Sequence, residues 1–118
     1  MSFKWKEYLD LARFLLQVQG DVSHEASWRC AVSRAYYAAF CHARNYARDR
    51  LGYQPAGGAQ DHSSLVAHYR SNQSEIADWL DELRSWRNLC DYRDNVYGID
   101  RMPQLAIFSA QQVFDGLE

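Results

Sequence analysis

Apolar residues recur at spacings of three and four along nearly the whole chain, and nowhere with period two. Between Phe3 and Gln19, the residues Trp5, Tyr8, Leu9, Ala12, Leu15 and Leu16 form one stripe. Lys4, Lys6, Glu7, Asp10 and Arg13 fill the other side. The spacing predicts a first helix, stopped by Gly20, with Asp21 or Ser23 placed to cap the next. The stretch Ser23 to Leu51 holds neither Gly nor Pro and is apolar around most of its circumference. A helix of that kind packs against neighbours on several sides, so this segment is read as the central one. At 100° per residue, Trp28, Val32, Ala35, Tyr36, Ala39, Phe40, Ala43, Tyr46 and Ala47 share a core sector, while Arg34, Tyr37, Cys41, Arg44 and Arg48 line up opposite as an Arg/Tyr stripe. Ala35, Ala38, Ala39 and Ala43 would let a neighbouring helix approach closely.

Residues 52–60, GYQPAGGAQ, break the pattern, because Pro55, Gly57 and Gly58 bar a continuous helix. This is the candidate mobile segment, read as a linker with a functional lid as the alternative. Leu65, Val66, His68 and Tyr69 predict a short third helix over Asp61 to Ser71. Asn72 and Glu75 fit a capping box opening a fourth helix, with Ile76, Trp79, Leu80, Leu83, Trp86 and Cys90 on one arc. Gly98 marks a turn. Pro103 suits the first turn of a fifth helix, whose apolar set is Leu105, Ala106, Phe108, Ala110, Val113, Phe114 and Leu117. The expected fold is all-α: a single domain over residues 1–118, an up-and-down, mostly antiparallel bundle of four long helices and one short one.

Composition adds a bias rather than a class. The chain has 118 residues, is 47% hydrophobic and carries a net charge of -2, so no global basic field argues for nucleic acid. Its cations are eleven Arg against two Lys. Arg suits planar contacts to carboxylate or phosphate, and serves equally in half-buried ion pairs. Cys30, Cys41 and Cys90 form no CxxC and read as reduced, buried thiols of a cytoplasmic protein. The first residues resemble neither a secretion signal nor a membrane span. His24, His42, His62 and His68 are dispersed without metal-ligand spacing, and no phosphate loop, dinucleotide fingerprint or nucleophile elbow is present. Neither a metal nor a cofactor is expected.

Candidate chemistry gathers late in the fourth helix, in LRSWRNLCDYRD, with Arg84, Arg87, Asn88, Asp91, Tyr92, Arg93 and Asp94. Arg87 lies at the edge of the apolar arc, where a guanidinium is costly unless paired or used. Asp91, four residues on, offers an intrahelical partner. Tyr92 falls about 140° from Arg87 on an ideal helix. The two converge only through a bend or a second subunit.

SRAYYAAFCHAR, Ser33 to Arg44, followed by LRSWRNLCDYRD, resembles the HEPN family of prokaryotic helical-bundle domains. These occur in toxin–antitoxin and defence modules, often beside a minimal nucleotidyltransferase. The resemblance implies a homodimer, a nucleotidyltransferase partner, and RNA or a nucleotide as ligand, with no membrane association. In the family's ribonucleases an Arg, usually followed by Asn, and a later His cut RNA without metal. Arg87 and Asn88 match, and Tyr92 stands where the His is expected. A Tyr of ordinary pKa near 10 is a poor base at neutral pH, although it can orient a phosphate or stack on a base.

Three functions follow from this sequence. The first is a binding module presenting Arg34, Tyr37, Arg44, Arg48, Arg84 and Asp91, together with Arg87, Asn88 and Tyr92. The second is a ribonuclease toxin using Arg87, Asn88 and Tyr92, with Tyr92 or His42 handling protons. The third is a structural helical adaptor.

Overall fold

The computed structural model describes residues 2–118. Five helices make up the fold: α1 (Lys6–Leu15), α2 (His24–Arg50), α3 (Asp61–Asn72), α4 (Ser74–Tyr92) and α5 (Met102–Gly116). Among the described residues there is no strand. The bundle is all-α, with α2 at its centre. Its 27 residues make a rod of about 40 Å, and α1, α4 and α5 all pack against it. Ala31, Ala35, Ala38, Ala39, Ala43 and Ala47 are fully buried on it. Side chains this small let several neighbours approach one backbone at close range.

The course of the chain follows from which ends meet. Arg29, near the start of α2, touches the last residues of α4, while Arg87 of α4 reaches Tyr37 of α2. Those two helices are therefore antiparallel. Cys90 at the end of α4 meets Met102 at the start of α5, and His42 of α2 meets Leu117 just past the end of α5. Thus α1, α2, α4 and α5 alternate in direction as a four-helix bundle. Residues 51–60 double back along α2, because His62 bonds Tyr36 and Tyr69 bonds the Ala43 carbonyl. The helix α3 therefore ascends beside α2 and packs chiefly on α4 as an addition to the four.

Most apolar positions behave as their spacing predicts, and the departures have local causes. α1 ends at Leu15 rather than Gln19, since Leu16 and Gln17 already bond back three residues, to Arg13 and Phe14. At ten residues α1, not α3, is the shortest helix. Ser23 does cap α2, its hydroxyl accepting from the Ala26 N–H at 3.1 Å. The capping box of Asn72 and Glu75 does not form. α3 persists through Asn72, whose amide donates to the His68 carbonyl, so Asn72 closes one helix instead of opening the next. On α5, Leu105 and Phe108 are exposed, and Ile107 is buried in their place. The buried arc of α5 is set by Ala106, Ala110 and Val113, and Leu105 and Phe108 fall on the opposite side of the wheel.

No helix of the described residues is long and apolar enough to cross a membrane.

Candidate functional site

Helical spacing alone assembles one cleft. Tyr36, Phe40 and Arg44 follow each other at four on α2, with Tyr37 beside them. Arg84 and Arg87 follow the buried Leu80 and Leu83 at four on α4, which turns both guanidiniums toward α2. The start of α3 contributes Asp61 and His62, and the preceding connection contributes Gly57, Gly58 and Ala59. Together these residues line an open cleft of about 370 Å³. A larger groove, about 530 Å³, runs between the start of α4 and the end of α5, but it is lined by Glu75 and Asp115 with no cation.

The glycine-rich connection is more than a linker. Both carboxylate oxygens of Asp61 accept backbone N–H bonds, from Ala56 and Gly57, each at 2.8 Å. The Tyr53 hydroxyl, buried beneath, bonds the Asp61 carbonyl at 3.3 Å and the Ser64 hydroxyl at 2.7 Å. Gly57 sits at φ +82°, a backbone conformation that side-chain-bearing residues seldom adopt. The segment is thereby held as one wall of the cleft.

Arg87 is the most engaged cation there. Its side chain is only 14% exposed. It donates to the Tyr37 hydroxyl at 3.1 Å and to the Asn88 amide oxygen at 2.7 Å, and it meets the Asp91 carboxylate at 3.5 Å. Its guanidinium stands over the rings of Tyr36 and Tyr37, 5.2 and 5.5 Å from their centres. The Nε atom is buried without a partner among the described residues. The intrahelical Arg87–Asp91 pair anticipated from the sequence is present, and the same Arg lines the cleft. Arg84 makes no hydrogen bond or ion pair among the described residues, and Arg44 bonds only the Asn45 side chain.

The Arg/Tyr stripe does not stay together. Tyr37 and Arg44 face the cleft, while Cys41 between them is buried. Arg34 is drawn under α1, over the rings of Tyr8 and Tyr37 at 4.8 and 5.3 Å. Arg48 is exposed and pairs with Asp49 at 2.9 Å. One wheel position means one face only where the same neighbours run alongside, and α1 covers just part of α2. Asn88 touches the cleft through Arg87 alone. Tyr92 is the last residue of α4 and 74% exposed, and Arg87 takes its partners elsewhere. His42 is also outside the cleft, bonded to the Leu117 carbonyl at 2.8 Å and stacked on Phe114.

Tyr36, Phe40, His62 and Asp81 are the residues that sequence reasoning passed over. Tyr36 and Phe40 look like ordinary core, and His62 looks like a helix-start residue. The available signal was its place directly after a Gly-rich break. In the fold His62 is buried, with Nδ1 2.8 Å from the Tyr36 hydroxyl and Nε2 3.2 Å from Asp81. Burial lowers the His62 pKa and outweighs the opposing bond to Asp81, while Arg84 and Arg87 push the same way as burial. A neutral ring satisfies both contacts if Nε2–H donates to Asp81 and the Tyr36 hydroxyl donates to Nδ1. Burial raises the Tyr36 pKa, against the pull of Arg87 and Arg84, so its phenol keeps the proton that it donates.

No family model, curated protein or solved structure matches the chain. Arg44, Arg84 and Arg87 line the cleft with Asp61, whose oxygens are already taken by backbone N–H groups, and Arg87 is itself paired with Asp91. Aromatic rings fill the remaining wall.

Proposed function

We propose that the chain is a HEPN-like module that binds RNA or a nucleotide through this cleft, as part of a toxin–antitoxin or defence system. The observation that supports the reading is the convergence of Arg44, Arg84 and Arg87 beside Tyr37 and Phe40. Guanidiniums contact phosphate oxygens in pairs, and bases stack on aromatic faces whatever their sequence. The family resemblance adds a homodimer and a nucleotidyltransferase as partners, and light scattering on the purified chain addresses the first.

The test is fluorescence anisotropy with a short labelled single-stranded RNA. Three phosphate contacts give a log–log salt slope of about −2. Arg87→Ala is expected to weaken binding about ten-fold, roughly 1.4 kcal/mol. Absence of binding at low salt would overturn the reading.

One observation favours a second reading, a metal-independent ribonuclease. His62, held by the Tyr36 hydroxyl, supplies on the cleft wall the imidazole that Tyr92, at the exposed end of α4, does not. In that reading Arg87 stabilises charge on the phosphorus oxygens, and His62 handles the proton while Tyr36 orients its ring. Cleavage that survives EDTA and is lost in His62→Gln would favour it, while RNA left intact after long incubation returns the balance to binding alone.

A further inference from the structure

The groove between α4 and α5 lies on a flank of α4 turned away from the Arg-lined cleft, and its chemistry is the opposite. On α4, Glu75, Trp79 and Glu82 follow one another at four and three and share one side of the helix. On α5, Leu105, Phe108, Gln112 and Asp115 do the same at three, four and three. The two rows meet where the Trp79 and Phe108 rings stand edge to face, 6.2 Å apart. Below them, a Cβ on Gly116 would come within 3.1 Å of the Ile76 side chain, so the end of α5 rests directly on the start of α4. Leu105 and Phe108 are both more than half exposed. Neighbouring apolar side chains of this size left in water mark a contact surface. They adjoin the groove of about 530 Å³ over Ile76 and Trp79, and a second depression of about 180 Å³ lies among Trp79, Asp78 and Glu82.

The rim of this surface is acidic. Glu75 and Glu82 have no hydrogen-bond or ion-pair partner among the described residues. Asp115 accepts from the Gln111 amide at 2.8 Å, and Asp78 is paired with Arg70 of α3. The cations of the neighbouring elements are placed elsewhere. Arg13 reaches α5 from α1 by donating to Gln111, and Arg50 donates to the Glu118 carbonyl from α2. Lys4 and Lys6 lie at the start of α1, and Arg93 follows the last residue of α4. Helix α5 itself contains no Lys or Arg. Arg101 precedes it, one turn before Leu105 and at the end remote from Asp115.

An apolar ridge beside unpaired carboxylates selects its occupant. Nucleic acid and anionic lipid surfaces are repelled by such a rim. A second copy of this chain offers no matching face, because the exposed Leu11 and Phe14 of α1 have Glu7 and Asp10 one turn before them. What fits is an apolar stripe flanked by cations. From Leu105 to Asp115 the helix runs about 15 Å, the length of about three helical turns. We infer that the α4/α5 groove docks an amphipathic helix of another protein, with an aliphatic stripe against Trp79 and Phe108 and Lys or Arg beside it for Glu75, Glu82 and Asp115. Apolar anchors at every third and fourth residue are the general mode by which a groove takes a helix. The partner's cations lie toward the start of α4, since Arg101 occupies the other end. The surface is separate from the cleft, so it does not depend on RNA binding there.

The test is fluorescence anisotropy of the full chain with labelled synthetic peptides of about 15 residues. One carries Leu at helical spacing flanked by Lys, a second has Glu in place of each Lys, and a third has Ser in place of each Leu. The Leu/Lys peptide is expected to bind about ten-fold more tightly than either control. Glu75→Gln combined with Glu82→Gln is expected to weaken it about ten-fold, and Phe108→Ser about as much. The double variant changes only exposed side chains without partners, so its unfolding midpoint stays that of the parent and it binds RNA as the parent does. A Leu/Lys peptide that does not bind, or that binds both variants as well as the parent, overturns the inference. So does a chain that sediments as a dimer and is split by Phe108→Ser, which gives the groove to a second copy. In every case RNA binding by the parent chain decides the cleft separately.

Discussion

Arg87 shows how one side chain serves structure and site together. The bond to Tyr37 joins α4 to α2, and the pair with Asp91 offsets part of the cost of burying its charge. Arg87→Ala is therefore expected to cost about 1–2 kcal/mol of stability in addition to its effect on binding, since hydrogen bonds to charged groups contribute about that much. A urea titration measures it. Arg84→Gln separates the two roles, because Arg84 carries no such bonds. The cysteines make a second contrast at this scale. Burial pushes the Cys90 thiol up to about 11 and raises Cys41 as well, although Arg29 and Arg44 pull back. Cys30 is exposed. Thiolates are the reactive species, so a disulfide reagent at pH 7.5 should modify one thiol rapidly and the other two only after denaturation. Three equally fast thiols would contradict the burial of Cys41 and Cys90.

At the level of elements, the ends of the helices decide more than their middles. α4 ends without a glycine or a basic last turn, so its terminal carbonyls need partners from elsewhere. Arg29 of α2 supplies them, donating to the carbonyls of Cys90, Arg93 and Asp94 at 3.0, 2.6 and 3.0 Å while Glu25 holds it from behind. This clamp ties the start of the central helix to the end of the helix that carries Arg84 and Arg87. Arg29→Ala is expected to cost about 2–3 kcal/mol, seen as a lower denaturant midpoint at unchanged m-value. Arg29→Lys should recover only a small part, since one ammonium cannot reproduce the planar fork. Nothing in the spacing of α2 distinguishes Arg29 from the other arginines. Its role depends on a carbonyl cluster some sixty residues away.

For the whole molecule, the buried His62 couples the cleft to pH. The unfolded His has a pKa near 6.5, and the folded one lies below it because burial disfavours the cation. As pH falls from 7.5 toward 5.5, the unfolded chain takes up a proton that the folded chain resists, so stability declines with acidification. The groups facing His62 are Tyr36, Asp81, Arg84 and Arg87, and burial keeps the Tyr36 phenol protonated throughout that interval. His62→Gln retains an amide for Tyr36 and Asp81 without a titrating ring. Thermal melts across the interval should therefore show a shallower pH slope for the variant than for the parent. Parallel slopes would mean that His62 is not the group responsible.

The chain's periodicity determined the five helices, the central place of Ser23 to Leu51 and the all-α class, because burying an apolar stripe is a local demand written at every third and fourth residue. It also singled out Arg87, at the edge of the arc set by Leu80 and Leu83, where a guanidinium has to be paired or used. Tertiary structure decided which neighbour it meets. Only the doubling back of residues 51–60 brings His62 to Tyr36 and makes Gly57–Ala59 a wall, and only the coverage of α1 pulls Arg34 away from Arg44. A helical wheel records direction around one axis. It carries no information on which stretch of that axis another helix covers, so a stripe of arginines along α2 reduced in space to one of them, completed by two from α4.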